Sequence, residues 1–547
     1  MRIAAAALVC AVVVAVGAVL VSGGADSDPR TPAALPGLPP PFLGTAVSGD
    51  GGMTAAVDAY GDIVDLRAPG PAGAALIDNP AARQAAGTVP ADTGIVPRVR
   101  VGGGGEALPM WRADSVTQRY LPGTNVVRTV ARFDHGDARV VMTAAAIGES
   151  LAVTIRAIAA PPPDLGSAAP RPRAMPTVSI DVQGGLRCAR ERRAAQLDLD
   201  CRPGRVGPPV HGGAARVIRA AVEDGHRWLA RSEGLGAGAP RWARAMYERS
   251  LLGIHALTSQ KTGAVAAGAR DGWAYVWPRD AATAALALEA SGHRREARQI
   301  AGFLTSLDLD AAARFAESGS PVPGRAAQGD AAGWVATAAR ATHLAPPDEP
   351  FRWRDRADYQ ESSPGTYLAN ALASAGSRVD GPKTGRIDGF SAQQHAGAGG
   401  ARRIAREFGS EGGLVRVAHD PASGLDSAAG WAVRPFALRA LYPTAERTLL
   451  RLVRTGTPYG ITPGEGWQGG EDPWTAPTAW SAWALAALPG RAPRRAALEL
   501  LDDLRRASTP AGDLPERVGA HTGIPTSTTP LLWSGAFAVL ALRELWP

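Results

Sequence analysis

Two hydrophobic periods divide this chain near Ala214, and any fold has to accommodate both. Before that point apolar and polar residues alternate through MTAAVDAYGDIVDLRAPG (Met53 to Gly70), SVTQRYLPGTNVVRTVARF, ARVVMTAAAI and SLAVTIRAIAA, with Gly, Asp and Pro between the runs. A period of two turns one face of each strand toward a core, so this half predicts an antiparallel β-sandwich. From AARVIRAAVEDGHRWLARSEG onward apolar residues recur at three and four, and Ala, Leu and Arg dominate. That period predicts helices for the rest of the chain, with no strand-like run among them.

Six of these helices open on similar small or capping residues: RDAATAALAL, QGDAAGWVATAA, SSPGTYLANAL, DSAAGWAVRPFAL, DPWTAPTAWSAWAL and TSTTPLLWSGAFAVLAL, starting near Asp280, Asp330, Ser363, Asp426, Thr475 and Thr528. Segments such as RREARQIAGFLTSL, TAERTLLRLVR and PRRAALELLDDLRR lie between them as outer helices. A repeat of about one helical hairpin predicts an (α/α)6 barrel. The chain then reads as a β-sandwich over 42–213, a helical linker over 214–236 and the barrel over 237–547. Pro-rich Ala160 to Pro176 interrupts the strands. Pro346, Pro347 and Pro350 leave little room for an outer helix before Asp358, and Gly-rich Val379 to Gly413 reads as an excursion.

Residues 1–25 run Met-Arg-Ile, an apolar stretch from Ala4 to Val21, then Ser-Gly-Gly-Ala, the layout of an export signal. The stretch exceeds a signal core of about 7 to 15 residues and approaches the roughly 17 that span a bilayer, so it is either cleaved after Ala25 or kept as a membrane anchor. Residues 26–41 are a Pro/Gly-rich tether. The expected location is extracellular or in the cell envelope. Cys10 falls inside the apolar run, leaving Cys188 and Cys201 to form one disulfide across the polar loop RCARERRAAQLDLDC. The net charge is +7, yet Lys occurs only at Lys261 and Lys383 and Arg is interleaved with acids, which argues against nucleic acid as a partner. The nine His show no HxxxH or HExxH spacing, so neither a metal nor a cofactor is expected. No feature sets an oligomeric state.

Two segments concentrate chemistry: DGWAYVWPRDAAT (Asp271 to Thr283) and AGDLPERVGAHTGIPTSTTPLLWSGA (Ala511 to Ala536). A sugar offers hydroxyl edges to charged or planar polar groups and CH-rich faces to aromatic rings, and a Trp-Pro-Arg-Asp turn serves both. Here the chain resembles the glucoamylase-type enzymes of glycoside hydrolase family 15, particularly the bacterial branch with a β-sandwich before its barrel. VWPRDA (Val276 to Ala281) is similar to that family's substrate-binding motif, and LPERV followed by PLLWSGA to its C-terminal base motif.

The resemblance implies that Arg279 and Asp280 bind sugar hydroxyls beside a wall formed by Trp277, and that Glu516 is the general base. The bland alternatives are that Asp280 caps its helix and that Glu516 pairs with Arg517 in solvent. In the family the acid follows an aromatic residue in a Trp-Glu pair. The nearest equivalent, DYQESSPGTYLANAL, places it at Glu361, with Gln360 where Trp is expected. Glu471 is the next choice and Glu317 the third. Trp467, Trp474 and Trp480 surround a Gly-rich loop suited to a sugar platform, Trp480 serving equally as core. Gln328 and Asp330 either contact a hydroxyl or, for Asp330, cap a helix, and Trp533 packs in the barrel wall. Gly535 stands where related sequences often carry His.

What the resemblance implies is an exported, inverting, exo-acting hydrolase that releases glucose from α-glucosides in an oligosaccharide or polysaccharide. Two readings stand beside it: a noncatalytic glycan-binding envelope protein of the same fold, and a trehalase-like or phosphorylase-like α-glucoside enzyme.

Overall fold

A computed structural model of the protein describes residues 43–101, 105–133, 138–159, 176–184, 186–204, 212–347, 354–360, 362–377 and 397–547. The expected signal or anchor, the tether, Glu361 and much of the Gly-rich excursion lie outside these residues. No helix among the described residues is long and apolar enough to cross a membrane.

The first part of the chain forms two antiparallel sheets, one of seven strands and one of six. The six-stranded sheet runs Leu186–Arg193, Gln196–Pro203, Ser150–Ala159, Ala138–Ile147, Val127–Phe133 and Ser115–Tyr120 from edge to edge. Both sheets contribute to one core, in which Val99, Val116, Val153 and Leu199 are fully buried. The segment expected as a polar loop between the two cysteines is instead a hairpin. Cys188 and Cys201 stand directly opposite in its register, and their sulfurs are bonded.

The other sheet departs from the one-buried-face expectation. Strands Ala46–Gly49, Thr54–Val57 and Ile63–Arg67 are buried along their whole length. Ala46, Ala55, Val57 and Ile63 enter the core between the sheets, whereas Val47, Ala56 and Val64 belong to the core of the helical part. The sheet is covered on both faces, and the period of two serves two different cores.

After the helix Gly213–Ala230 come Arg241–Ala256, Pro278–Ala290, Arg294–Thr305, Ala331–Ala341, Leu368–Ser377, Gly397–Phe408, Tyr442–Arg454, Thr475–Ala486, Arg491–Ala507 and Leu532–Leu545. Three expectations need correction. The DSAAGWAVRPFAL segment forms only a 3-10 helix at Ser427–Ala432, because Pro435 bars continuation of an α-helix and Gly430 adds no propensity. The last helix begins at Leu532 rather than near Thr528, since Pro530 disfavours the helical conformation in the residue before it. A small hairpin, Val415–Val417 with Asp420–Leu425, does interrupt the helices, and part of the Gly-rich stretch is helical.

Helix Ala331–Ala341 lies so close to helix Leu368–Ser377 that a Cβ on Gly333 would meet the backbone oxygen of Ala373 at 2.4 Å and its carbonyl carbon at 2.6 Å. Backbone cannot rotate away as a side chain can. Gly333→Ala is therefore expected to destabilise the protein by about 1–3 kcal/mol, as overpacking does, read as a lower urea midpoint with an unchanged slope.

Candidate active site

The helix Pro278–Ala290 takes Trp277 as its N-cap and Pro278 in its first turn, which brings Arg279 and Asp280 to its buried N-terminal end. Arg279 Nη1 donates to Gln328 Oε1 at 2.8 Å and to Asp330 Oδ2 at 3.0 Å, and Nη2 lies 3.2 Å from Asp280 Oδ2. Gln328 and Asp330 come from the opening of helix Ala331–Ala341, so one guanidinium ties two helix starts together. Asp330 makes no side-chain cap bond. Its carboxylate is committed to Arg279, and the capping alternative is not realised.

A second arginine builds a matching cluster. Arg416 Nη2 donates to Asp358 Oδ1 at 3.2 Å, and Nη1 stands 3.5 Å from Asp426 Oδ2. Asp426 also accepts from the Ala428 N–H at 2.7 Å, the Tyr359 hydroxyl at 3.1 Å and the Gln360 amide at 3.0 Å. The two clusters are joined by Gln328, whose Nε2 donates to the Asp358 carbonyl at 2.6 Å. Sequence reasoning had missed Arg416, Asp358 and the side chain of Asp426. The available signal was the charge in Leu-Val-Arg-Val, where an arginine sits among apolar neighbours.

Aromatic rings floor both clusters. Tyr359 lies 5.3 Å from Trp480 and 5.9 Å from Trp533, ring centre to ring centre, and Trp480 lies 4.9 Å from Trp533. The Arg279 guanidinium carbon stands 4.4 Å from the Trp533 ring centre, a cation–π contact. Trp480 is fully buried and donates to the Ser427 carbonyl at 2.9 Å, which makes it core.

Glu516 is buried, not solvated. Its N–H donates to the Thr528 carbonyl at 2.9 Å, its carbonyl accepts from the Thr475 N–H at 3.0 Å, and the Ser527 hydroxyl donates to its Oε2. Burial raises its carboxyl above the ordinary glutamate range, against the pull of Ser527, Arg517 and Arg325. Glu516 is near enough for its charge to help raise Asp280. The Arg279–Trp533 contact and the Trp533 Nε1–H bond to the Thr283 hydroxyl at 3.2 Å bring the two motifs, more than two hundred residues apart in sequence, to one site.

Farther out, Trp277 packs with Trp273 at 5.7 Å, beneath the exposed Arg325 at 5.4 Å. Trp467 and Trp474 meet edge to face at 5.1 Å, both half-buried, with Arg517 5.6 Å from the Trp474 ring centre. Glu471 is not with them: its side chain is 86% exposed, 3.9 Å from that of His521. Glu317 faces the β domain, accepting from the Thr262 hydroxyl at 2.7 Å beside Gly70. A Cβ on Gly535 would point at Ser250, into a crevice lined also by Ile254 and Leu514. Among the described residues, no group of three or more His, Cys, Asp or Glu side chains is arranged to hold a metal ion.

No protein-family model matches the sequence, and no curated protein matches it either. In shape the chain is similar to a bacterial glucoamylase solved in complex with acarbose, at 12% identity and a TM-score of 0.62, over 93% of this chain and 94% of that one. A wild-type glycosidase matches at 19% identity and a TM-score of 0.45, over 56% of this chain and 99% of that one. The glucoamylase from Saccharomycopsis fibuligera matches at 14% identity and 0.42, over 57% and 97%. The bacterial glucoamylase likeness establishes a shared fold: antiparallel sheets followed by a helical domain.

Burial is the main reason that Asp280 titrates at about 6 rather than 3.8, with Arg279 opposing the rise and Asp330 and Glu516 adding to it. Asp426 is raised to about 6 by burial in the same way. Between these values each of these two carboxyls holds in the folded chain a proton that the unfolded chain has released, so the stability they contribute is lost as pH rises from about 4 to about 6. Asp280→Asn removes one such group and is expected to flatten that decline, measured by urea unfolding at a series of pH values.

Proposed function

We propose that the chain is an exported, inverting, exo-acting glycoside hydrolase releasing glucose from α-glucosides in an (α/α)6 barrel. The observation that carries this reading is the buried Glu516, held by Ser527, on the same segment as Trp533, whose ring meets the Arg279 of an Arg279–Asp280–Asp330 cluster. Carboxylates and a guanidinium suit the hydroxyl edges of a sugar, and the Trp rings suit its faces. A desolvated carboxyl held by a hydroxyl donor suits a general base that takes a proton from water.

In this mechanism Glu516 draws the proton from a water attacking the anomeric carbon, while Glu361 protonates the leaving oxygen on the opposite face. Arg279 and Asp280 fix the terminal sugar so that both transfers are in line, and no cofactor takes part. Trp467 and Trp474, both half-buried, form the walls along which the rest of an oligosaccharide lies, whereas Trp277, expected as a wall beside Arg279, is buried and supports the site from below. The fold shared with a bacterial glucoamylase supports the reading by analogy only, because one fold hosts many activities. Trehalase-like hydrolysis uses the same two carboxyls on a different leaving sugar, whereas in a phosphorylase-like reaction phosphate attacks directly and Glu516 has no proton to take.

One observation favours a second reading. Gln360 stands where the resemblance leads to Trp, and it turns its amide to Asp426. A polar amide next to Glu361 in sequence does not keep a carboxyl protonated as an apolar ring does, which fits a noncatalytic glycan-binding protein.

Maltooligosaccharides, isomaltooligosaccharides, dextran and trehalose separate the readings. Hydrolysis is expected, with Glu516→Gln and Glu361→Gln each lowering kcat about a hundredfold or more. Early proton NMR is expected to show β-glucose from an α-glucoside, as two carboxyls roughly 6.5 to 9.5 Å apart require. Initial α-glucose rejects the inverting mechanism. Binding without hydrolysis of any of these substrates selects the second reading. Arg279→Lys and Asp280→Asn are expected to weaken sugar binding in either case.

A further inference from the structure

The loop that carries Glu516 has two legs, and each is held from the β domain. Within it, Glu516 N–H donates to the Thr528 carbonyl at 2.9 Å, Thr526 N–H to the Arg517 carbonyl at 3.0 Å and Leu531 N–H to the Leu514 carbonyl at 2.8 Å, while Thr475 of the helical part donates its N–H to the Glu516 carbonyl at 3.0 Å. On the first leg Tyr120, the last residue of strand Ser115–Tyr120, donates its hydroxyl proton to Asp513 Oδ2 at 2.7 Å, while accepting from the Val47 N–H at 2.7 Å. Arg249 completes that contact. Its guanidinium carbon lies 3.8 Å from the Tyr120 ring centre, its Nε 3.4 Å from Asp513 Oδ1, and Nη1 donates to the Thr124 carbonyl at 3.0 Å. On the second leg the Thr45 hydroxyl donates to the Thr529 carbonyl.

We infer that the β domain sets the position of the proposed base, with Tyr120 and Thr45 as positioning residues that hold Asp513 and Thr529 on either side of Glu516. The physical argument is one of charge and direction. Asp513 is a buried carboxyl three residues from Glu516, and a buried carboxyl is expensive to leave without donors. Its donor, Tyr120, ends an edge strand of the six-stranded sheet, and its hydroxyl is fixed by the Val47 N–H of the doubly covered sheet, so the loop is tied through one hydroxyl to both sheets. Burial keeps the Tyr120 phenol protonated far above neutral pH, and it therefore donates throughout the working range. The functional consequence rests on the reading of Glu516 as the base; the mechanical claim does not.

Hydrogen exchange followed by mass spectrometry on the full chain reads the mechanical claim directly. Tyr120→Phe keeps the ring and the Arg249 contact but removes the donor, and Thr45→Val removes the second grip. Each is expected to speed exchange over residues 512–531 about tenfold, the scale of one lost buried hydrogen bond. Gln260→Ala is the control, because it cuts a bond from Gln260 Nε2 to the Asp50 carbonyl, 2.5 Å long, that touches neither leg. It is expected to leave that segment unchanged. Equal exchange in wild type and both test variants, or an equal rise in the control, overturns the inference.

If the wild type hydrolyses an α-glucoside, Tyr120→Phe is also expected to lower kcat about tenfold with KM unchanged, whereas an unaltered kcat overturns the positioning role. A wild type silent on every substrate rejects the proposed function, and the exchange result still decides this inference.

Discussion

A guanidinium taken out of water has to find acceptors, and the helix openings of this protein are arranged around that demand. Arg279 is 5% exposed and draws on Asp280 from its own helix and on Gln328 and Asp330 from the next. Removing any of these partners would strand a charge in a medium that does not solvate it. Packing of apolar helix faces tolerates small slides, but a set of contacts near 3 Å does not. The ion cluster therefore fixes where two helices begin relative to each other. Arg416 does the same for the segments bearing Asp358 and Asp426. Charge sets the geometry at the helix openings, while the Trp and Ala residues beneath supply the cohesion.

Much of this was legible in the sequence because it is written in periodicity. The change near Ala214 marks the passage from sheets to helices, and the Pro278 and Trp277 opening places Arg279 and Asp280 where they are found. What was illegible depends on tertiary partners. Local propensity in Ser-Ala-Ala-Gly-Trp-Ala favours a helix, yet Pro435 limits it to a short 3-10 turn. Arg416 lies in a three-residue strand too short to give a period. Asp330 and Asp280 carry capping chemistry in sequence, and only the presence of Arg279 shows that their carboxylates are otherwise engaged. Glu471 matched by composition, but its neighbours Asp472 and Trp474 turn inward while it faces water.

The doubly covered sheet explains why the two parts of the chain are not separable modules. Strands Ala46–Gly49 and Thr54–Val57 give alternate residues to two cores, so neither core is complete without them. An alternating pattern of small apolar residues, Ala46, Val47, Ala55, Ala56 and Val57, carries no polar face for solvent. In sequence this looks like a weak strand. In the structure it is what allows two layers to approach from opposite sides.

At the far edge of the other sheet the disulfide-linked hairpin has a different bearing. Strand Leu186–Arg193 is an edge strand, with a row of backbone groups that a second chain could extend. Arg187, Arg190, Arg192 and Arg193 make that row strongly cationic, and Cys188–Cys201 prevents the strand from slipping or peeling to present an apolar face. Two copies approaching edge to edge would bring like charges together. The charge and the cross-link thus disfavour pairing of two copies along this edge, where no further strand among the described residues covers the sheet.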